Sequence, residues 1–246
     1  MEALRVGVIG AGANTRLHHI PKLQAIDGVE VVVVCNRSEA SSAKIASEFG
    51  IARTVASWEQ VVADAEVDAV VIGTWPYTHK SMTIAALAAG KHVLTEARMA
   101  MDLAEAKEML AASRASPQLV AQVVPSPMTL AYDGTIKRLL RDGTLGQLLY
   151  IDVRGVSGAP MDAAKPLHWR HSAELSGKNI MSMGIFYEAV RRWVGDAREV
   201  MAMGQTFVKQ RVNPDDHGQP RLPHYSRPPR RPGNHGVRGP VAYAHL

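Results

Sequence analysis

Near the start of the chain, Gly10-Ala11-Gly12-Ala13-Asn14-Thr15 have the types and spacing to cradle a phosphate. In a G-x-G-x-x-G turn the first glycine permits a tight bend. The second lets the backbone approach a pyrophosphate, and the amides that open the following helix hold its negative charge. Here the third glycine is replaced by Thr15. Further on stand Asn36-Arg37-Ser38. A site built for NAD places a carboxylate at this point to accept from the ribose 2′-hydroxyl. Three donors stand there instead. They suit a 2′-phosphate, and the Arg37 guanidinium can also stack on adenine. The pair of segments therefore implies a dinucleotide, with NADP favoured and NAD possible.

A second group of residues could move protons or hold charge. Asn179, Ser182 and Phe186 fall on one face of a helix at i, i+3 and i+7, and Tyr187 lies beside them. Tyr187, His79 and Lys178 are the candidates for proton transfer, with His168 and His171 behind them. Arg98, Arg170 and Lys178 would bring positive charge to a carboxylate-bearing or otherwise anionic substrate. The one cysteine, Cys35, excludes a disulfide framework and a cysteine-based zinc site.

The elements that must position these residues are legible from pattern. Arg5–Ile9, Val29–Cys35 and Val67–Ile72 are short apolar runs of the kind buried on both faces of a parallel sheet. His92–Leu94 and Leu119–Val124 read as two more strands, and helical stretches lie between the runs. This alternation specifies a doubly wound α/β sheet over residues 1–124. Pro125-Ser126-Pro127 interrupts it. Beyond, a helix over Gly134–Arg141, a strand over Gln147–Val156, a helix over Ile180–Val194 and a long strand over Glu199–Val212 read as a partial α+β substrate domain, residues 125–216, with an open sheet.

Several segments together resemble the glucose–fructose oxidoreductase / inositol dehydrogenase / MocA family, over about residues 4–212. They are the glycine turn, the turn Thr74-Trp75-Pro76-Tyr77-Thr78-His79, and the run Ala85-Ala86-Leu87-Ala88-Ala89-Gly90-Lys91-His92-Val93-Leu94. Glu96-Ala97-Arg98, Gly143-Thr144-Leu145-Gly146 and Trp169-Arg170 extend the likeness. The resemblance implies a Rossmann domain and hydride transfer between NAD(P) and a sugar, polyol or related hydroxy compound. It adds Thr74, Trp75, Pro76, His79, Glu96, Ala97, Trp169 and Arg170 to the cofactor set of Gly10, Gly12, Ala13, Asn14, Thr15, Asn36, Arg37 and Ser38. It also shows three departures. Ala97 stands where the family has its lysine, Ser182 where it has a carboxylate and Phe186 where it has its acid/base histidine, so neither Ala97 nor Phe186 can exchange a proton with an alcohol. Arg98, Asn179, Ser182 and Phe186 would line the substrate.

The chain has 246 residues, and its +5 charge is uneven. Residues 217–246 carry five arginines and six of the fourteen prolines, and no Lys, Asp or Glu. The remainder is electrically neutral, which argues against specific nucleic-acid binding by a folded body. The tail reads as disordered. Its composition is also what GC-rich DNA gives out of frame. A reading-frame shift near residues 217–223 and a truncated second domain are therefore expected, and the homo-oligomer implied by the family becomes doubtful for this chain. Apolar runs reach only about five residues against the roughly 20 that span a bilayer, so a cytoplasmic protein without membrane helices is expected. The competing reading is a nucleotide-binding sensor or scaffold that has lost turnover. No metal site is expected.

Overall fold

The computed structural model describes residues 3–156, 158, 162–177, 181–205, 207, 208, 211, 212, 220, 221 and 243–245. Two compact units divide the chain. One comprises Met1–Pro125 with Leu175–Gly177, the other Ser126–Glu174 with Lys178–Leu246.

The first unit is a six-stranded parallel sheet in the order β3-β2-β1-β4-β5-β6. Its strands are β1 (Leu4–Ile9), β2 (Val29–Cys35), β3 (Arg53–Thr54), β4 (Ala69–Ile72), β5 (His92–Thr95) and β6 (Ala121–Val123). Helices α1 (Ile20–Gln24), α2 (Glu39–Phe49), α3 (Trp58–Ala63), α4 (Pro76–Ala88) and α5 (Leu103–Ala115) connect them. Branched aliphatic residues dominate β1, β2 and β4 because both faces of the sheet are covered. Ile9, Val33, Val70 and Ile72 pack with Val61, Met82 and Leu87 in one cluster. Val6, Val8, Val31, Val34 and Val71 pack with Ile20 and Ile45 in the other. This strand order reverses direction between β1 and β4, and a doubly wound sheet binds its ligand at that switch point, outside the carboxyl ends of the strands.

Part of the family-like run between α4 and β5 has a structural purpose. Lys91 Nζ donates to the carbonyls of Asp64 (2.9 Å) and Val67 (2.6 Å), tying the start of β5 to the loop before β4. At the same end of the sheet Asp68 accepts from Arg5 Nε (3.0 Å) and Nη2 (2.7 Å).

In the second unit, α6 (Asp133–Arg141) and α8 (Met181–Val194) are clasped through Asp133. Its carboxylate accepts from Trp193 Nε1 (2.7 Å), Arg192 Nε (2.6 Å) and Thr129 Oγ1 (2.9 Å). A 3-10 turn (Trp169–His171) and α7 (Ala173–Ser176) precede α8. The strand expected over Gln147–Val156 is absent: those residues take no strand conformation, and Leu149, Tyr150 and Val156 are exposed. No strand among the described residues pairs with them, and an extended segment needs a partner for its backbone groups. Of the long strand expected over Glu199–Val212, the described residues form β7 (Glu199–Met201) and β8 (Arg211–Val212), with 202–205 in no strand conformation.

Of the tail expected to be disordered, residues 220, 221 and 243–245 are described. They form β9 (Pro220–Arg221) and β10 (Tyr243–His245), antiparallel to β8 and β7 respectively. The rest of 217–246 lies outside the described residues. Among the described residues no helix is long and apolar enough to cross a membrane, and no cluster of His, Cys, Asp or Glu could hold a metal ion.

Candidate functional site

The glycine turn sits between β1 and a π-helical turn, Thr15–His19, that leads into α1. Gly10 has φ +83°, and a Cβ there would lie 2.6 Å from Thr74 Cγ2 and 2.8 Å from the Thr74 amide. Gly12 differs: a Cβ on it would meet nothing nearer than the Gly73 carbonyl at 3.9 Å. Among the described residues, no packing requires a glycine there. The space beside it is open, and Gly12, Ala13 and Asn14 are all exposed at the tip of the turn. An opening beside the first amides of a helix is what a pyrophosphate needs.

Thr15 in the third glycine's place is explained by Gly73, just past β4. The third glycine of this motif normally allows close packing of helix on strand. Here the small residue is on the opposing side. A Cβ on Gly73 would fall inside contact distance of both Thr15 Oγ1 and the Gly10 carbonyl, and 3.1 Å from Thr15 Cβ. Thr15 is buried as a result.

The segment after β2 divides its labour. Asn36 Oδ1 accepts from the Ala11 amide at 2.7 Å, and its Nδ2 donates to Ser41 Oγ at 3.0 Å. Its carboxamide is thus engaged inside the protein rather than left as a donor for a 2′-phosphate. Asn36 shapes the glycine turn from the side. Ser38 is likewise engaged, as the N-cap of α2, its hydroxyl accepting from the Ser41 amide at 3.4 Å. Arg37 is exposed, and its Cζ lies 5.8 Å from the centroid of the Trp75 ring. Trp75 ends the loop after β4, and Pro76 opens α4. Both residues follow the carboxyl ends of strands, Arg37 after β2 and Trp75 after β4.

The segment after β5 is held from two directions. His79 on α4 is fully buried, with Nδ1 2.8 Å from the Arg98 carbonyl and Nε2 3.1 Å from the Thr74 carbonyl. Burial pushes its pKa down, against the raising effect of those two hydrogen bonds. Both ring nitrogens face backbone carbonyls, and the neutral ring can donate to one of them, so this geometry makes His79 a tie between two loops and does not favour the proton-transfer role expected of it. Arg98 Nη2 donates to Ser176 Oγ at 3.0 Å. Glu96 reaches toward the π-helical turn, where its Oε1 meets His19 Nε2 at 2.5 Å and accepts from Asn14 Nδ2. Its Oε2 accepts from the Ala97 amide at 3.1 Å. Burial pushes the Glu96 carboxyl up, but the hydrogen bonds from His19 and Asn14 outweigh it and hold the group below the usual carboxylate range. Ala97 is exposed between these ties.

The first unit therefore brings together Gly10, Gly12, Ala13, Asn14, Thr15, Asn36, Arg37, Ser38, Thr74, Trp75, Pro76, His79, Glu96, Ala97 and Arg98 at one end of one sheet. The remaining residues belong to the second unit. There Arg170 stacks on Trp169, its Cζ 4.3 Å from the ring centroid. His168 and His171 are both pushed down, first by burial and then by the charges of Arg170 and Arg211 respectively. Phe186 lies against Gly155, where a Cβ would collide with its ring. Tyr187 is exposed on α8. Ser182 is in the first turn of α8. Lys178 and Asn179 lie outside the described residues. Two contributors were missed by sequence reasoning. Gly73 was signalled by the absent third glycine. His19 had no signal beyond the tandem His18-His19, because the spacing that selects it is a π turn.

Comparison with known proteins agrees with this geometry. A model of the oxidoreductase family with the NAD-binding Rossmann fold matches residues 4–123, and a model of the GFO/IDH/MocA C-terminal domain matches residues 134–222. A 1,5-anhydro-D-fructose reductase from Ensifer adhaerens is 43% identical over 110 residues, 45% of this chain and 33% of that protein. The crystal structure of an oxidoreductase domain protein from Kribbella flavida superposes with a TM-score of 0.79 at 24% identity, covering 91% of this chain and 62% of that one. The biliverdin reductase of Synechocystis sp. PCC 6803, solved with biliverdin and NADP+, superposes with a TM-score of 0.64 at 26% identity, covering 81% of this chain and 61% of that one. The chain thus spans between a third and about three fifths of the length of these relatives. Since the two models match in tandem, and the first falls on the sheet that carries the glycine turn, the chain belongs to the GFO/IDH/MocA oxidoreductase family.

Proposed function

We propose that this chain binds NADP in preference to NAD and serves hydride transfer between the nicotinamide and a sugar-like hydroxy or keto compound. The observation that carries the reading is the open cradle at Gly12, flanked by Arg37 and Trp75 and lacking any carboxylate at the end of β2. A carboxylate there would repel a 2′-phosphate, whereas an exposed guanidinium attracts it. The relatives support the substrate class through a 1,5-anhydro-D-fructose reductase, and the cofactor through a biliverdin reductase solved with NADP+.

A bound nicotinamide would supply the hydride donor or acceptor. The protein's own contribution is binding and orientation. The amides at the start of the π-helical turn hold the pyrophosphate. Arg37 and Trp75 hold the adenosine end, and the tied segment Glu96–Arg98 forms the floor at the other end. The test is a pair of titrations with NADPH and NADH. Tighter binding of NADPH supports the reading, and equal affinities for both overturn the cofactor preference.

A second reading, a cofactor-binding sensor or scaffold without turnover, draws on the side chains at the proton-transfer positions. Ala97 and Phe186 stand where the family resemblance puts lysine and histidine, and the nearby histidine, His79, is buried with its ring nitrogens facing backbone carbonyls. Both readings require NADPH binding. Only the first requires substrate-dependent loss of the reduced-nicotinamide absorbance.

A further inference from the structure

The contact between Glu96, His19 and Asn14 joins the end of β5 to the glycine turn across the switch point. Asn14 caps no helix amide with its side chain. His19 and Glu96 are only partly buried, with side chains 14% and 15% exposed.

The helix register selects the partner. In an α-helix the residue stacked over Asn14 would be His18, at i+4. The Ile20 amide instead bonds the Thr15 carbonyl, the five-residue step of a π turn. That step brings His19 over Asn14, with Nε2 3.4 Å from Asn14 Nδ2, and leaves His18 exposed. π turns are rare and occur mostly at functional sites.

We propose that His19 and Glu96 are positioning residues that fix Asn14, and with it the nicotinamide half of the cofactor site. This inference rests on the cofactor reading above. With the adenosine half over β2 and the pyrophosphate over the glycine turn, the rest of a dinucleotide runs toward β4 and β5. Glu96 stands on that side. Its Oε1 takes Asn14 Nδ2, which turns the Asn14 carboxamide so that Oδ1 is the acceptor left for an N–H or O–H of the ligand. Its Oε2 holds the Ala97 amide, so the same carboxylate also fixes the floor beside Ala97. His19 holds the carboxylate in place through Nε2. The titratable group facing Glu96 from another element is His79 on α4, whose ring nitrogens face the Thr74 and Arg98 carbonyls. On the π turn itself Arg16 is paired away with Glu48 at 2.7 Å.

The test measures dissociation constants of two probes on the full chain: NADPH, and adenosine 2′,5′-bisphosphate, which lacks the nicotinamide half. His19→Ala and Glu96→Ala should each weaken NADPH about tenfold, as expected for a lost hydrogen bond to a charged group, and leave the bisphosphate unchanged. His19→Gln, whose amide can still donate to Glu96, should recover most of the loss. NADPH affinity within twofold of the parent in both alanine variants overturns the proposal. So does an equal loss of both probes, which would mean a general loosening of the unit. A parent protein that binds neither probe overturns the cofactor reading itself, and the inference falls with it.

Discussion

Replacing Gly73 by alanine probes the packing that lets Thr15 occupy a glycine's place. The added Cβ would fall under 3.0 Å from both Thr15 Oγ1 and the Gly10 carbonyl, and 3.1 Å from Thr15 Cβ. Rotation of the threonine hydroxyl relieves the first clash. The second is with backbone, in a turn already held by the Gly10 amide bond to the Cys35 carbonyl (2.8 Å) and by Asn36 on Ala11. Thr15 is only 1% exposed, so it has nowhere to move except with the helix. Overpacking of this kind costs about 2–3 kcal/mol. For a unit of this size that lowers the melting temperature by about 6–12 °C. The displaced turn should also weaken NADPH binding, since the shifted backbone is the cradle proposed above for the phosphates. Circular dichroism melts and a fluorescence titration measure the two effects. The double variant Thr15→Gly/Gly73→Ala removes the clash with the threonine but keeps the one with the Gly10 carbonyl, so it should recover part of each loss. A Gly73→Ala protein with the parent's melting temperature and NADPH affinity would refute the packing argument.

Arg37→Ala should weaken NADPH by about 1.5–3 kcal/mol, as for a lost charged hydrogen bond, and barely affect NADH. Asn36→Ala should weaken both cofactors alike, because its side chain shapes the turn; parallel titrations separate the two cases. Lys91→Met should lower stability by about 1–2 kcal/mol in urea unfolding, since Nζ serves two backbone carbonyls and touches nothing at the proposed site. Asp68 is held at about 2 by the hydrogen bonds from the Arg5 side chain and amide. With its folded value below its ordinary 3.8, it stabilises the fold above that pH, and the contribution is lost as pH falls through about 2. The side chain is 34% exposed, so screening reduces this to roughly 1 kcal/mol. Asp68→Asn should lower stability at neutral pH by that amount and flatten the acid limb of the stability curve; an unchanged acid limb counts against the pairing.

The sheet was legible because buried parallel strands advertise themselves as branched aliphatic runs, as in Val31–Cys35 and Val70–Ile72. The glycine turn was legible because Gly10 answers to a local backbone demand, its φ of +83°. What pattern could not supply was the identity of partners across the fold. Asn36 and Ser38 have the right chemistry for a phosphate, yet the Ala11 and Ser41 backbone groups claim them first. His79 matches a cofactor-loop motif, but only the fold shows both of its nitrogens buried against carbonyls. His19 depends on a one-residue change of helical step that leaves no trace in apolar periodicity. In the second unit the strand expected over Gln147–Val156 failed because alternation predicts a willing strand, not the presence of a neighbour to pair with.

The most direct measurement is an isothermal titration of the 246-residue chain with NADPH and, separately, NADH. The account predicts one saturable site per chain, with NADPH the tighter ligand and the difference abolished by Arg37→Ala. Absence of saturable binding by either cofactor, in a protein shown to be folded, would contradict it.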